Sequence, residues 1–387
     1  MIYIFNAFGR KVPMKKLTDL FRPERAYAWA KQTHIDITEN ALALIEKEKK
    51  QKLISVIKPY REQFIKGSTD PDREGDIDKG SGSHYYSATS SKFKANKKIG
   101  GYYPNRLGNV SKSARTMLED SYSCALNLYK NGRPAEAVYY LGRAAHFIED
   151  MSNPVHTASM KFEDKANNPH KAFEKHAVNI AKRYTADSFD KRLVKSYSGD
   201  SFENAANKLS EAANKYASSL TGLDPKAFEE AVKATAPLGV QNVVALINRF
   251  ADDCAKDNAN FLIDGMNCII RCEGSGLVFT QGTKGVLLEQ QDRTKPQKMT
   301  LILSDSGSFA IRVPDGQFLS GNLKALDTVL GDAQGEQFRF TALGKNRFRI
   351  SSEVTRFEKV LACTRSGSLV LTDYDPEDEN QVWIINK

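Results

Sequence analysis

Four of the six histidines in this 387-residue chain fall between Tyr139 and Ala177, at His146, His156, His170 and His176. His146 and Asp150 stand four apart, and His170 and Glu174 repeat the spacing. In a helix that spacing projects both side chains from one face. An imidazole and a carboxylate so placed can grip a divalent metal, and His156 lies between the two pairs. His34, Asp70 and His84 add donors upstream, the last at the end of a Gly/Ser/Asp-rich loop, GSTDPDREGDIDKGSGSH. Histidine and carboxylate without thiolate suit zinc in hydrolytic sites. A lone histidine on an apolar helix face is usually structural, but two His-x-x-x-carboxylate pairs this close are a metal pattern. The eight candidates exceed one tetrahedral shell, so more than one metal is predicted. His176 is read as an exposed helix residue.

The elements that must position these donors are helical. Residues 30–50 carry a broad apolar side, and a second helical stretch runs to about Lys66. Residues 87–110 are basic, interleaved with aromatics, and read as an exposed loop. Helical periodicity resumes over 112–130 and stops at Asn131-Gly132. Pro134 opens the His146/Asp150 helix and Pro169 the His170/Glu174 helix, since proline is tolerated in a first helical turn. Further helices are predicted over about 202–220, 224–236 and 239–266. At Cys268 the pattern changes to short apolar runs between Gly, Asp, Asn and Ser turns, which reads as all-β. Units opening at Ile269, Phe309 and Phe348 repeat at spacings of 40 and 39, each closing on an apolar strand: QKMTLIL, EQFRFTAL and QVWIINK. Threefold repetition over this length predicts a closed barrel that looks like a β-trefoil. Gln381-Val382-Trp383 resembles the Q-x-W mark of ricin-type trefoils, although the other two repeats lack the Trp. The expected organisation is a leader at 1–28, an all-α catalytic domain at 29–266 and a trefoil-like binding domain at 267–387.

The formal charge of +9 lies entirely before Cys268, because 15 basic and 15 acidic residues cancel from there on. A basic catalytic half suits phospholipid headgroups or nucleic acid; solubility alone also accounts for an excess this mild. Five cysteines form no CxxC pair, and an odd number excludes full pairing within one chain. No apolar run reaches transmembrane length. The apolar start, MIYIFNAF, precedes its basic residues, the reverse of a secretory signal. Ala26-Tyr27-Ala28, directly before Trp29, is nonetheless an A-x-A cleavage pattern.

The ordered donor set resembles the zinc-dependent phospholipase C family, to which the bacillary phosphatidylcholine-preferring enzymes and clostridial α-toxin belong. The single-strand-specific zinc nucleases share that fold. The resemblance covers about residues 29–266 and is carried by the aspartate loop ending in His84 and by the block H-x3-D-x5-H-x13-H-x3-E from His146 to Glu174. It implies about three zinc ions. One would take Asp70, His84, His146 and Asp150, with Asp70 also the candidate for orienting or deprotonating the attacking water. A second would take His156, His170 and Glu174. A third would take His34 and a bridging Asp150, together with the amino group and carbonyl of Trp29. That amine is free only if residues 1–28 are removed after Ala28, so a secreted enzyme is expected. The implied reaction is hydrolysis of the glycerol-side phosphodiester of phosphatidylcholine-type lipids to diacylglycerol and a phosphorylated headgroup by metal-activated water, with possible toxin character. The chain is expected to be a monomer that meets a phospholipid membrane surface and, through its C-terminal domain, carbohydrate. The family's own C-terminal domain is a calcium-binding sandwich, so calcium dependence does not carry over.

Two alternatives remain open at this point. The short interval from His156 to His170 and the ligand Glu174 resemble the phospholipase branch, whereas the short interval from Trp29 to His34 leans toward the nucleases. A zinc nuclease would need aromatic rings to stack a base, and Tyr85, Tyr86, Tyr102 and Tyr103 are candidates. The second alternative is a lectin-like binding protein with an inert α domain.

Overall fold

The structure, a computed structural model, describes residues 31–73, 75–76, 83–88, 112–160, 167–198, 201–256, 261–283, 285–320 and 336–387, and the backbone of short strands at 3–5, 11–13, 103–104, 110–111 and 330–331. Helices α1 (Lys31–Lys47), α2 (Gln51–Ile57), α3 (Arg61–Gly67), α4 (Ala114–Lys130) and α5 (Pro134–Met151) come first. Then follow α6 (Pro154–Thr157), α7 (Pro169–Ile180), α8 (Lys191–Ser196), α9 (Glu203–Asn214) and α10 (Pro225–Cys254). Among the described residues the all-α expectation holds for this half apart from two short antiparallel pairings, Tyr3–Phe5 with Lys11–Pro13 and Tyr103–Pro104 with Val110–Ser111.

Helix α5 is the hub. It packs on α3, α4 and α10, and every residue from Leu141 to Met151 is buried. A helix enclosed on all sides must find partners for its polar groups inside the protein, and α5 carries Arg143, His146, Glu149 and Asp150. Its start follows from Pro134 at the first helical position. Among the described residues no helix is long and apolar enough to cross a membrane.

Helix α10 departs from the expectation of two helices at 224–236 and 239–266. It is one 30-residue helix running through Pro237 and ending at Cys254. An interior proline costs about 3 kcal/mol. Here Phe228, Ala231 and Val232 before it and Val240, Val243 and Val244 after it are all buried, and each large side chain contributes about 1.5–3 kcal/mol. Burial on both sides of the proline therefore outweighs its local penalty.

From Met266 the chain is β. Strands β1 (Met266–Cys272), β4 (Met299–Leu303), β5 (Phe309–Arg312), β8 (Phe338–Gly344), β9 (Arg347–Ser352) and β12 (Val382–Asn386) pair antiparallel in that order, and β12 returns to β1 to close a six-stranded barrel. Three hairpins leave it: β2 (Val278–Gln281) with β3 (Val286–Glu289), β6 (Phe318–Leu319) with β7 (Leu330–Gly331), and β10 (Val360–Cys363) with β11 (Leu369–Thr372). This threefold plan fits the trefoil-like expectation. Trp383 is fully buried in it, and its Nε1 donates to Leu361 O at 2.9 Å.

The two halves meet through α4. Asp120 is fully buried and accepts from Lys112 Nζ at 2.5 Å, Arg349 at 2.8 Å and Thr341 Oγ1 at 2.5 Å, with Arg339 at 3.5 Å. Gly307, at φ +76°, crosses Cys124 so closely that a Cβ there would meet the Cys124 carbonyl oxygen at 2.8 Å.

Candidate metal centre

The centre is built where α3 crosses α5. Gly67 and Gly142 touch backbone to backbone, and a Cβ on either would lie 2.0 Å from Tyr139 O or 2.2 Å from Phe64 O. That crossing delivers the segment Ser68–Asp72 onto the face of α5 that bears His146. Two latches hold the chain here, one on the segment and one just beyond it. Tyr139 Oη donates to Asp70 Oδ2 at 2.8 Å, and Arg143 forks onto Asp76 at 2.8 and 2.6 Å. Beyond α5 the chain turns twice by the same device. Asn153 accepts from Val155 N before Pro154, and Asn168 accepts from Lys171 N before Pro169. These caps set His156 and His170 in the first turns of α6 and α7, facing back toward α5.

Three groups of donors result: His34, His146 and Asp150; Asp72, His84 and His146; and His156, His170 and Glu174. Within each group the donor atoms lie within 4.8 Å of one another. Asp150 reaches across the groups, its Oδ2 lying 2.8 Å from His84 Nδ1 and 3.2 Å from His146 Nε2, and its Oδ1 3.2 Å from His156 Nδ1. Three histidines are pinned through Nδ1 by backbone carbonyls, His146 by Ser68 (2.9 Å), His156 by His84 (2.9 Å) and His170 by Met160 (2.7 Å). A carbonyl only accepts, so Nδ1 carries the proton and Nε2 is presented as a ligand.

The fit to a metal can be tested on His34 Nε2, which is buried and has no hydrogen-bond partner. It lies 3.6 Å from Asp72 Oδ2 and 3.8 Å from Asp150 Oδ1. Tetrahedral zinc with bonds of about 2.0–2.2 Å sets its donor atoms about 3.3–3.6 Å apart. Separations too long for hydrogen bonds are thus close to those of ligands around one ion, and the donor set is of the zinc type.

Electrostatics agrees. Burial drives His34 well below the usual histidine range, and His146, stacked on it at 4.1 Å, adds to the effect. Burial acts the same way on His146 and His156, but Asp150, joined by Asp72 at His146 and by Glu174 at His156, outweighs it and they are pushed up to about 9 and about 10. Burial raises Asp150 too, yet His146, His156 and His84 together hold it well below the usual carboxylate range. Burial pushes Glu149 well above that range and raises Asp72. In the metal-free chain, protons on histidine supply positive charge where a cation would otherwise stand.

The family model described as zinc dependent phospholipase C matches residues 33–223. The helical part of this chain belongs to the zinc-dependent phospholipase C family. It is therefore an enzyme domain, a phosphodiester hydrolase. Among solved structures, α-toxin from an avian strain of Clostridium perfringens is 17% identical over 93% of this chain and 97% of its own, with a TM-score of 0.47. Alpha toxin from Clostridium absonum is 18% identical over 94% and 97%, with a TM-score of 0.46. No curated protein matches the chain.

The phospholipase C domain brings together seven of the eight predicted donors. The exception is Asp70, which belongs to none of the three groups and accepts from Tyr139. Asp72 stands with His84 and His146 in its stead. Asp70-Pro71-Asp72 offers two aspartates, and donor spacing does not choose between them. The signal that does is Tyr139, seven residues before His146 and so on the same helix face, which claims Asp70. Sequence reasoning also missed Glu149, whose carboxylate meets His34. His176, expected to be exposed, is half-buried against Phe228 at 5.7 Å. Trp29 and the Ala26–Ala28 pattern lie outside the described residues, as do Tyr102 and the side chain of Tyr103.

Proposed function

We propose that this chain hydrolyses the glycerol-side phosphodiester of phosphatidylcholine-type phospholipids to diacylglycerol and a phosphorylated headgroup. The observation that carries the reading is the contiguity of the three buried donor groups, joined through His146 and Asp150, inside a phospholipase C domain. Asp72, His84, His146 and Asp150 would hold one zinc, His156, His170 and Glu174 a second, and His34 with Asp150 a third, which Trp29 would complete in a chain cut after Ala28. Bound zinc supplies Lewis acidity toward the phosphate and lowers the pKa of water. The chain's own residues do the rest. Asp72 is the carboxylate placed to accept a proton from attacking water, its Oδ1 lying 3.7 Å from His84 Nδ1 and 3.8 Å from His146 Nε2. The latches from Tyr139 and Arg143 hold its segment in place. Tyr85, with its ring 5.0 Å from His156 and 6.2 Å from His170, walls the second group.

In this reading the protein is secreted and monomeric, and its trefoil-like half brings the site to a membrane or to surface carbohydrate. Zinc-loaded protein, both full-length and beginning at Trp29, should be given a phosphatidylcholine dispersion and single-stranded DNA. Release of diacylglycerol and phosphocholine is expected. Nucleotide release without diacylglycerol would overturn the lipid assignment in favour of a nuclease.

A further inference from the structure

Two histidines of the centre meet a carboxylate through Nδ1: His84 meets Asp150, itself one of the donors, whereas His34 meets one outside the three donor groups. His146, His156 and His170 use backbone carbonyls, whereas His34 Nδ1 meets the carboxylate of Glu149, with Oε2 at 2.6 Å. Glu149 Oε1 in turn accepts from Thr38 Oγ1 at 2.7 Å. His34, Thr38 and Glu149 are fully buried. Thr38 stands one helical turn after His34 on α1, and Glu149 three residues after His146 on α5, so both ends of the contact sit on packed helices.

A carboxylate accepts an imidazole N–H more strongly than a carbonyl does. Thr38 donates to one oxygen of Glu149 and leaves the other facing His34 Nδ1. Across the ring, His34 Nε2 has no hydrogen-bond partner and lies 3.6 Å from Asp72 Oδ2 and 3.8 Å from Asp150 Oδ1.

We propose that Glu149 is the positioning residue of the His34 site: it accepts the Nδ1–H hydrogen bond of His34 and turns Nε2 toward the cation bound there. The proposal rests on the reading that His34, His146 and Asp150 share a metal. A carboxylate behind a metal-bound histidine fixes the ring and raises its basicity, and removing such a partner typically lowers metal affinity about 10–100-fold.

The test uses the full chain. Zinc content and stepwise zinc affinity are measured by elemental analysis and chelator competition for wild type, Glu149→Gln, Glu149→Leu and His34→Ala. Gln keeps an acceptor of nearly the same shape and removes the charge; Leu removes both. One zinc should weaken selectively, about tenfold in the Gln variant and about a hundredfold in the Leu variant, while the others keep wild-type affinity. Zinc-loaded wild type should show an exchange-protected, downfield Nδ1–H proton from His34 that is missing in Glu149→Leu. If the Leu variant does not fold, the near-isosteric Gln variant decides. His34→Ala with an unchanged zinc count would defeat the metal reading itself. Loss of one zinc in His34→Ala, with wild-type affinity in both Glu149 variants, would leave that reading standing and overturn the role of Glu149. Equal weakening of all zincs in Glu149→Gln would also overturn it, because a merely structural residue acts that way.

Discussion

Neighbouring helices α4 and α5 each bury carboxylates completely, and they satisfy them in opposite ways. On α4, Asp120 is met by Lys112, Arg349 and Arg339, all cations of the chain itself. Burial raises its pKa, but those three cations more than reverse the effect and hold it well below the usual carboxylate range. On α5, Asp150 lies among His84, His146 and His156, Glu149 meets His34 and Thr38, and His34 Nε2 beside them is buried without a hydrogen-bond partner. A buried carboxylate that the chain neutralises with its own arginines and lysine is a lock between domains. A buried cluster of carboxylates and imidazoles whose donor atoms stand at ligand distances from one another is a seat for a cation.

The largest expected effects separate the two directly. Asp150→Asn should take activity to background and strip zinc from more than one position, because Asp150 approaches His34, His84, His146 and His156 together. Glu174→Gln should cost only the zinc of its own group. Elemental analysis of both variants checks this, and equal metal loss would count against a bridging Asp150. Asp120→Asn should leave the zinc count unchanged and instead lower stability by about 3–5 kcal/mol, the usual consequence of stranding buried partners of an ion pair. Denaturant unfolding of zinc-loaded protein measures that loss. A zinc deficit in folded Asp120→Asn would erase the distinction between lock and seat.

The next contrast is in pH. His146 and His156, raised to about 9 and about 10, stabilise the metal-free fold fully below their unfolded values near 6.5, and that contribution disappears as pH rises through 9 to 10. Asp120, depressed, stabilises above its unfolded value near 3.9 and loses that contribution only as pH falls through its lower folded value. Metal-free protein should therefore weaken between about pH 7 and pH 10 while its domain interface holds. Zinc loading at pH 7 should release about two protons, since both histidines must become neutral to serve as ligands. Titration in buffers of different ionisation enthalpy counts the protons; a count of zero would mean the histidines are already neutral.

How much of this could be read from the sequence follows from the range of each interaction. The pairs His146/Asp150 and His170/Glu174 were legible because helical periodicity alone sets them side by side. The proline-opened helices were legible because the cap and the proline are local. The barrel was legible because its repeat recurs three times. What escaped depends on contacts between distant segments. Helix α10 runs through Pro237 because of burial against other helices. Glu149 matters because α1 passes alongside it. The Asp120 lock joins α4 to β8 and β9 across more than two hundred residues. The choice between Asp70 and Asp72 belongs with these, since it turns on a contact with a tyrosine nearly seventy residues away.

That choice carries the smallest and most discriminating effect. If Asp70 is a latch, its contribution is one hydrogen bond, from Tyr139 Oη at 2.8 Å, of a kind worth about 0.5–1.5 kcal/mol, or up to about 3 kcal/mol for a charged acceptor. Tyr139→Phe should then lower activity only several-fold, by loosening the segment that carries Asp72, and should leave every zinc in place. Asp70→Asn keeps an acceptor for Tyr139 and should be milder still. The double variant should be no worse than the sum of the two and, since both act on one contact, better than that sum. Asp72→Asn, by contrast, should lose zinc from the His84–His146 group and fall to background. If Asp70 is instead a ligand or the base, Asp70→Asn becomes the severe variant and Asp72→Asn the mild one. Zinc counts and kcat/KM for the four variants decide the matter, because the two assignments predict opposite rank orders for side chains two residues apart.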